Sequence, residues 1–240
     1  GIFSKIQEYL ETKEKISLSS DIVIKGVDYE ANEIIVDMKS TPKTITNGMS
    51  GEFIVESGDK TLKFPVVLSL NGTFEMTARV PLTDNIRFMV SYITGSGENS
   101  VTTSEILDEF NGLYRDSFGF FYPMYGYAEF IDANGEFEFM PGDRDYIVAH
   151  EAGYAALSGI PSEGNIKVPV KVEYENVEAG IFEDGVLKYR YERNYAETTA
   201  EREFYFIRPE KVEMNTKEHT YWEGFVITDN YGRTLTVTEW

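Results

Sequence analysis

Hydrophobic and polar residues along most of this chain alternate with a period of two, which is typical of β-strands. In Ile34–Met38 and in Ile166–Tyr174, for example, an apolar side chain falls on every second position. Turn-forming pairs such as Asn47-Gly48 separate the alternating segments. The pattern predicts about seven short strands in the first part of the chain and a second, larger set after it, as in β-sandwiches.

Two short segments have the period of an amphipathic helix instead. The first covers residues 1–15, and the second follows Ser104, a residue type that favours helix N-caps. Both carry apolar residues at the same spacing, which predicts a repeated unit of helix plus sandwich. These residues are Ile2, Phe3, Ile6, Tyr9 and Leu10 in the first segment, and Ile106, Leu107, Phe110, Leu113 and Tyr114 in the second.

The ends of the two parts look alike. Arg87–Gly97 leads through a glycine-containing turn into Val101–Ser104, and Gly224–Gly232 leads in the same way into Leu235–Thr238. Each pair resembles the final hairpin of immunoglobulin-like and fibronectin type III-like domains. The resemblance covers about 20 residues in each half, without the cysteine and tryptophan spacing of true immunoglobulin domains. It implies a module for binding, adhesion or spacing.

These observations predict a mostly β protein with two tandem antiparallel β-sandwich (Ig-like) domains, each preceded by a short amphipathic helix. The expected division is an N-terminal helix over residues 1–15, a first sandwich over 16–104, and a second, larger sandwich over 105–240.

The charge of the chain is strongly negative and unevenly distributed. The net charge is −19, with 10 basic and 14 acidic side chains in residues 1–104 and 12 and 27 in residues 105–240. Nucleic acids and anionic membranes attract basic proteins, so we expect neither as a partner. Insertion into a membrane is not expected either, because no stretch approaches the roughly 18 consecutive apolar residues of a spanning helix.

The sequence offers few catalytic residues. There are no cysteines, and His150 and His219 are the only histidines. His150-Glu151 begins like a zinc-protease helix, but Tyr154 stands where the second histidine is required. Without a phosphate-binding glycine loop or a histidine cluster, no cofactor is expected. An alternative that stays open is a hydrolase of glycans or peptides with carboxylates such as Asp143, Asp145 or Glu151.

Two acidic segments are weak candidates for calcium. Asp132, Asn134 and Glu136 place oxygen atoms at alternating positions, as calcium loops do, and Asp143 and Asp145 flank Arg144. The ligand count falls short in both segments. Asn134-Gly135 also explains the first segment as a hairpin turn.

The most unusual segment is Phe118–Tyr127, which has six aromatic residues in ten positions. Aromatic side chains can stack on sugars or fill peptide pockets, and they can equally fill a core. The binding interpretation predicts a ligand surface in the second domain. Its candidate residues are Phe120, Tyr122, Tyr125 and Tyr127, together with Trp222.

The leading expectation is a non-enzymatic binding or scaffold protein that recognises a glycan or a protein outside the cytoplasm. We expect a secretion signal or membrane anchor before Gly1, bacterial-type export, and an extracellular or cell-surface location. A structural spacer in a cell-envelope assembly, with self-association through domain edges, is a further alternative.

Overall fold

The computed structural model describes residues 15–121, 130–133, 136–139, 146–151, 172–194, 203–209 and 211–238. These residues are mostly β and form several antiparallel sheets, as the alternating pattern predicts. By their contacts they divide into two compact units, with the change between Tyr114 and Arg115. The predicted helix over residues 1–15 lies outside the described residues except for Lys15.

The described residues of the first unit form two antiparallel sheets. The three-stranded sheet has the order β1-β2-β5, and the four-stranded sheet has the order β4-β3-β6-β7. The strands are β1 Ser17–Asp28, β2 Glu33–Pro42, β3 Ser50–Ser57, β4 Lys60–Val67, β5 Phe74–Pro81, β6 Asn85–Thr94 and β7 Val101–Asn111.

The two sheets of the first unit pack face to face around an apolar core, which is consistent with a β-sandwich. Alternate residues of β2 and β3 are buried, as expected for strands with one face on a core. Phe74 on β5 stacks on Tyr92 on β6 with the ring centroids 5.5 Å apart, so the contact joins one sheet to the other.

Three buried hydroxyl groups lie at one edge of this core. The Tyr92 Oη atom lies 2.7 Å from Ser17 Oγ and 2.5 Å from Ser40 Oγ, and the two serine oxygens are 2.9 Å apart. Nearby, the Glu105 carboxylate on β7 accepts hydrogen bonds from the backbone N–H groups of Ile16 and Ser17. Polar side chains thereby join the start of β1 to the other sheet.

The predicted helix after Ser104 is wrong. Residues 101–111 form the continuous strand β7, which pairs with β6, and the only helix in this part of the described chain is the single turn α1, Leu113–Asp116. The pairing register shifts so that Ile106 lies opposite Met89 and Asp108 opposite Phe88. Leu107 is therefore the extra residue of a β-bulge, and a bulge interrupts the period of two that marks a strand. β7 also runs across position 104, where the sequence places a domain boundary.

The described residues of the second unit form three sheets, with the strand orders β13-β12-β17-β18, β14-β15-β11-β8 and β16-β10-β9. The strands are β8 Phe120–Phe121, β9 Phe130–Ala133, β10 Glu136–Phe139, β11 Tyr146–Glu151, β12 Tyr174–Glu183, β13 Val186–Arg190, β14 Glu192–Arg193, β15 Glu203–Ile207, β16 Lys211–Glu213, β17 Tyr221–Asp229 and β18 Thr234–Val237.

The two four-stranded sheets of the second unit also meet through buried side chains. The rings of Phe206 on β15 and Phe225 on β17 lie 6.2 Å apart in an edge-to-face arrangement. Arg208 follows β15 and pairs with Glu223 of β17, with both side chains almost fully buried. The predicted hairpin around Asn134-Gly135 is confirmed by the antiparallel pairing of β9 with β10.

Candidate functional site

The exposed tryptophan on β17 is the best-described candidate for ligand contact. Trp222 is 44% exposed, although it lies directly opposite Phe182 of β12, which is only 2% exposed. Residues directly opposite each other in an antiparallel pair share one face of the sheet. The chain thus presents a large aromatic side chain beside a buried aromatic neighbour.

The strand pattern explains why Trp222 faces outward. Glu223, Phe225 and Ile227 alternate with it along β17, and all three are buried on the opposite face. β17 pairs with β12 along nearly the whole length of both strands. The backbone that carries Trp222 is therefore held by a regular ladder of hydrogen bonds.

A dense polar cluster lies immediately beside this pair of aromatic residues. One oxygen of the Asp184 carboxylate accepts hydrogen bonds from the Thr220 N–H group at 2.9 Å and the Thr220 hydroxyl at 3.1 Å. The other oxygen lies 2.7 Å from Nδ1 of His219. We call these three residues, Asp184, His219 and Thr220, the Asp184 clasp. The clasp joins the turn after β12 to the segment before β17.

The turn that carries Asp184 has a local cause. Asp184 and Gly185 both have positive φ angles, of 50° and 84°. Two such residues in sequence form the turn that matches the twist of a hairpin, and Asp-Gly is a preferred pair for it. The tight turn between β12 and β13 positions the carboxylate toward Thr220.

A second group of side chains supports the clasp from the strands on either side. The Tyr221 hydroxyl donates to Glu183 at 2.6 Å and accepts from the Asn215 N–H group at 3.0 Å. Lys188 on β13 also donates to Glu183, at 2.6 Å. Lys188, Glu183 and Tyr221 thus form a hydrogen-bonded series of base, acid and hydroxyl on the strands next to the clasp.

These contacts change the proton affinities of the cluster. Hydrogen bonds from the Thr220 backbone and from His219 lower the pKa of Asp184, and the bond to Asp184 raises the pKa of His219. The Lys188 ammonium lowers the pKa of Glu183, and partial burial raises the pKa of Tyr221. Asp184 and Glu183 are therefore carboxylates at neutral pH, and His219 holds its proton to a higher pH than a free imidazole.

The other residues of the predicted aromatic surface are placed only in part. Phe120 lies in β8, opposite Glu151 of β11, and so belongs to a different sheet from Trp222. Tyr122, Tyr125 and Tyr127 lie outside the described residues. Phe118, at the start of the segment, is buried under the Arg233 guanidinium, 4.4 Å from the ring centre, and therefore has a structural role.

The predicted acidic candidates are also described only in part. Asp132 lies in β9, whereas Asn134, Asp143 and Asp145 lie outside the described residues. Within the described ranges, no group of three or more histidine, aspartate or glutamate side chains is arranged to hold a metal ion. In the same ranges, no helix has the length and apolar character needed to cross a membrane.

One end of the first unit carries exposed apolar side chains that sequence reasoning did not single out. Ile45 lies in the loop before β3, Val67 ends β4, and the fully exposed Leu70 lies in the loop before β5. A methyl group on Gly72 would lie 2.7 Å from Ile45, so the two loops touch. We call Ile45, Val67 and Leu70 the apolar loop end.

The Asp184 clasp was also missed, because Asp184 and His219 are 35 positions apart in sequence. The available signal was the Asp184-Gly185 pair between two alternating segments, which marks a hairpin but does not name the residue that its carboxylate meets. No protein-family model matches this chain, and no curated protein matches it either.

Proposed function

We propose that this protein is a non-enzymatic recognition protein, built from β-sandwich units of the immunoglobulin-like type, that binds a glycan or a protein outside the cytoplasm. The exposed side chain of Trp222 beside the buried Phe182 carries the proposal. A ligand that covers the exposed indole removes apolar surface from water, which is favourable in free energy. Tryptophan is also enriched among the residues that contribute most to binding free energies.

The surroundings of Trp222 favour recognition of a polar ligand. The indole has one N–H donor, and its flat face can stack on a sugar ring or on an aromatic or apolar side chain. Thr220 and the Asp184 carboxylate supply polar groups at the end of the same two strands, each two positions from a member of the Trp222–Phe182 pair. An apolar centre with a polar margin is the usual anatomy of a binding surface.

The strand order of the first unit also supports the immunoglobulin-like assignment. Its sheets have the orders β1-β2-β5 and β4-β3-β6-β7, and sandwiches of this type place their variable loops at the two ends. We propose the same immunoglobulin-like type for the second unit. An extracellular or cell-surface location completes this proposal and agrees with the use of such domains in adhesion.

The experiment is to apply the full chain to combined glycan and peptide arrays and to repeat the assay with Trp222→Ala. We expect one class of probe to bind the native protein and to lose at least about tenfold in signal with the variant, as for a dominant contact residue. Ile106→Ala is the matched control, because Ile106 is an exposed apolar strand residue in the other unit. Equal binding by Trp222→Ala and native protein would refute the site.

Self-association is a second candidate role, supported by the apolar loop end. The two loops that carry Ile45 and Leu70, residues 43–49 and 68–73, contain no acidic residue and one basic residue, Lys43, in a chain of net charge −19. Two copies of an acidic protein approach each other with least repulsion at a surface without acidic side chains. Sedimentation velocity of the native chain and of the Ile45→Ser/Leu70→Ser double variant tests this. A concentration-dependent dimer that the variant abolishes supports it, and a monomer at all concentrations contradicts it.

A further inference from the structure

The Asp184 clasp joins the two chain segments that carry the aromatic pair. Phe182 is two positions before Asp184 on one segment, and Trp222 is two positions after Thr220 on the other. Phe182 and Trp222 also lie opposite each other in the β12–β17 ladder. The clasp lies just beyond Glu183 and Tyr221, the last pair of this ladder, where the Asp184 N–H group also donates to the Thr220 carbonyl at 2.9 Å.

The charged groups around His219 are mostly acidic. Asp184 and Glu183 face it from the end of β12, and Glu218 lies on the same turn. Lys188 on β13 is paired with Glu183, and Lys217 is two positions before His219. Tyr221 on β17 presents its ring at 6.4 Å in an edge-to-face arrangement. A protonated imidazole is favoured in this setting, and a neutral one loses the ionic part of its bond to Asp184.

We propose that the Asp184 clasp is a pH-sensitive device that fixes the strand end bearing Trp222 while His219 is protonated and loosens it when His219 becomes neutral. The Asp184 carboxylate holds Thr220 and His219 together, and it is their common acceptor. Loss of the proton from His219 leaves the two bonds from Thr220 in place and weakens the third. Trp222, two residues along the chain, then gains freedom and presents its face less uniformly to a ligand.

The direction of the pH dependence follows from the geometry. His219 binds its proton more tightly in the folded protein than in the unfolded chain, whose ordinary pKa is 6.5. The clasp is therefore complete below about pH 6.5 and weakens as the pH rises through the higher folded pKa. On the acid side, Asp184 has a lowered pKa, so its carboxylate persists until the pH falls below the ordinary value of 3.8.

Proton–nitrogen correlation spectra of the full ¹⁵N-labelled chain test the proposal between about pH 5 and about pH 9. Trp222→Phe identifies the indole signal of Trp222. We expect this signal and the Thr220 amide signal to shift with one common midpoint, above 6.5, that matches the titration of the His219 ring. In His219→Gln the shift should disappear, and in Asp184→Asn the His219 midpoint should return toward 6.5.

His150→Gln is the matched control, because His150 is the only other histidine of the chain. The Trp222 shift should persist in this variant. A Trp222 signal that does not change with pH, or that titrates equally in His219→Gln, would overturn the proposal. If His219→Gln does not fold, the native protein and Asp184→Asn decide alone. A His219 midpoint that is the same in Asp184→Asn as in the native protein contradicts the clasp.

The effect on ligand binding rests on the proposed function of Trp222, whereas the spectra do not require a ligand. The two ideas can therefore fail separately. If Trp222→Ala binds array probes as the native protein does while the spectra titrate as expected, the recognition role is wrong and the clasp stands. If the spectra do not titrate while Trp222→Ala loses binding, the reverse holds.

Discussion

Gly180 on β12 and Gly224 on β17 lie directly opposite each other, and the backbone of a neighbouring strand fills the space beside each of them. A Cβ atom on Gly180 would lie 1.9 Å from the carbonyl oxygen of Tyr189 on β13, and one on Gly224 would lie 2.0 Å from that of Val237 on β18. The two edge strands of this sheet therefore approach the central pair more closely than any side chain allows. A glycine within a strand often marks such a close approach of backbone.

Alanine at either glycine should destabilise the second unit. The neighbouring atoms belong to backbone, so the strands must separate to admit a methyl group, at a cost of roughly 2–4 kcal/mol in the free energy of unfolding. Chemical denaturation of Gly180→Ala and Gly224→Ala measures this. Gly26→Ala on β1 is the control, because nothing lies within 4 Å of its Cβ position. Equal midpoints for all three variants would contradict the close approach.

The buried ion pair between Asp229, the last residue of β17, and Arg233 should be far more sensitive to substitution than an exposed ion pair. Arg233 donates from Nε to Asp229 at 2.8 Å and from Nη1 to the Ser117 hydroxyl at 2.8 Å, with the Asp229 side chain fully buried. Asp229→Ala leaves a buried guanidinium without its carboxylate and should cost about 3–5 kcal/mol of unfolding free energy.

The control for this variant is an exposed pair. Lys25 and Asp37 lie 3.5 Å apart, and both side chains are about half exposed. Exposed pairs contribute little because water screens them, so Lys25→Ala should unfold at the same denaturant concentration as the native chain within experimental error. A larger loss for Lys25→Ala than for Asp229→Ala would show that burial does not govern these ion pairs.

Tyr92 should make the first unit sensitive to alkaline conditions. Burial raises the pKa of Tyr92 above its ordinary value of 10.0, against the smaller opposing effect of Ser17 and Ser40. The unfolded chain therefore loses this proton first, and stability falls as the pH rises above about 10. Tyr92→Phe should lose about 1 kcal/mol at neutral pH, because two buried hydroxyls lose a partner.

The check is denaturation of Tyr92→Phe and native protein at neutral pH and at several values above about pH 10. The two proteins should differ less as the pH rises, since only the native chain carries the ionising hydroxyl. A difference that stays constant or widens with pH would contradict the buried, un-ionised state of Tyr92.

Alternation was enough to predict many strands, and particular residues show where it failed. The hairpin of β17 and β18 follows from Phe225, Ile227, Leu235 and Val237, which alternate without interruption and are all buried. β7 was mistaken for a helix because the bulge at Leu107 places two apolar residues in sequence, as an amphipathic helix does. The register shift arises from the pairing of β7 with β6, and the sequence of β7 alone does not reveal that pairing.

The candidate site was predictable only at Trp222. The side chain of a strand residue can point to either face of its sheet. For Trp222, which face is buried depends on the register with β12 rather than on the local sequence. The partnership of Asp184 with His219 depends on the same register, together with the turn at Gly185. Long-range strand pairing thus determines that Trp222 is exposed and that the Asp184 carboxylate meets His219.

The central claim is that the exposed face of Trp222 binds a ligand. The most direct measurement is titration calorimetry of the strongest array probe with native protein, Trp222→Ala and Ile106→Ala, each shown to be folded by its thermal transition. The account predicts that Trp222→Ala loses about 2 kcal/mol of binding free energy, or roughly thirtyfold in Kd, while Ile106→Ala binds as the native protein does. Equal Kd values for Trp222→Ala and the native protein would contradict it.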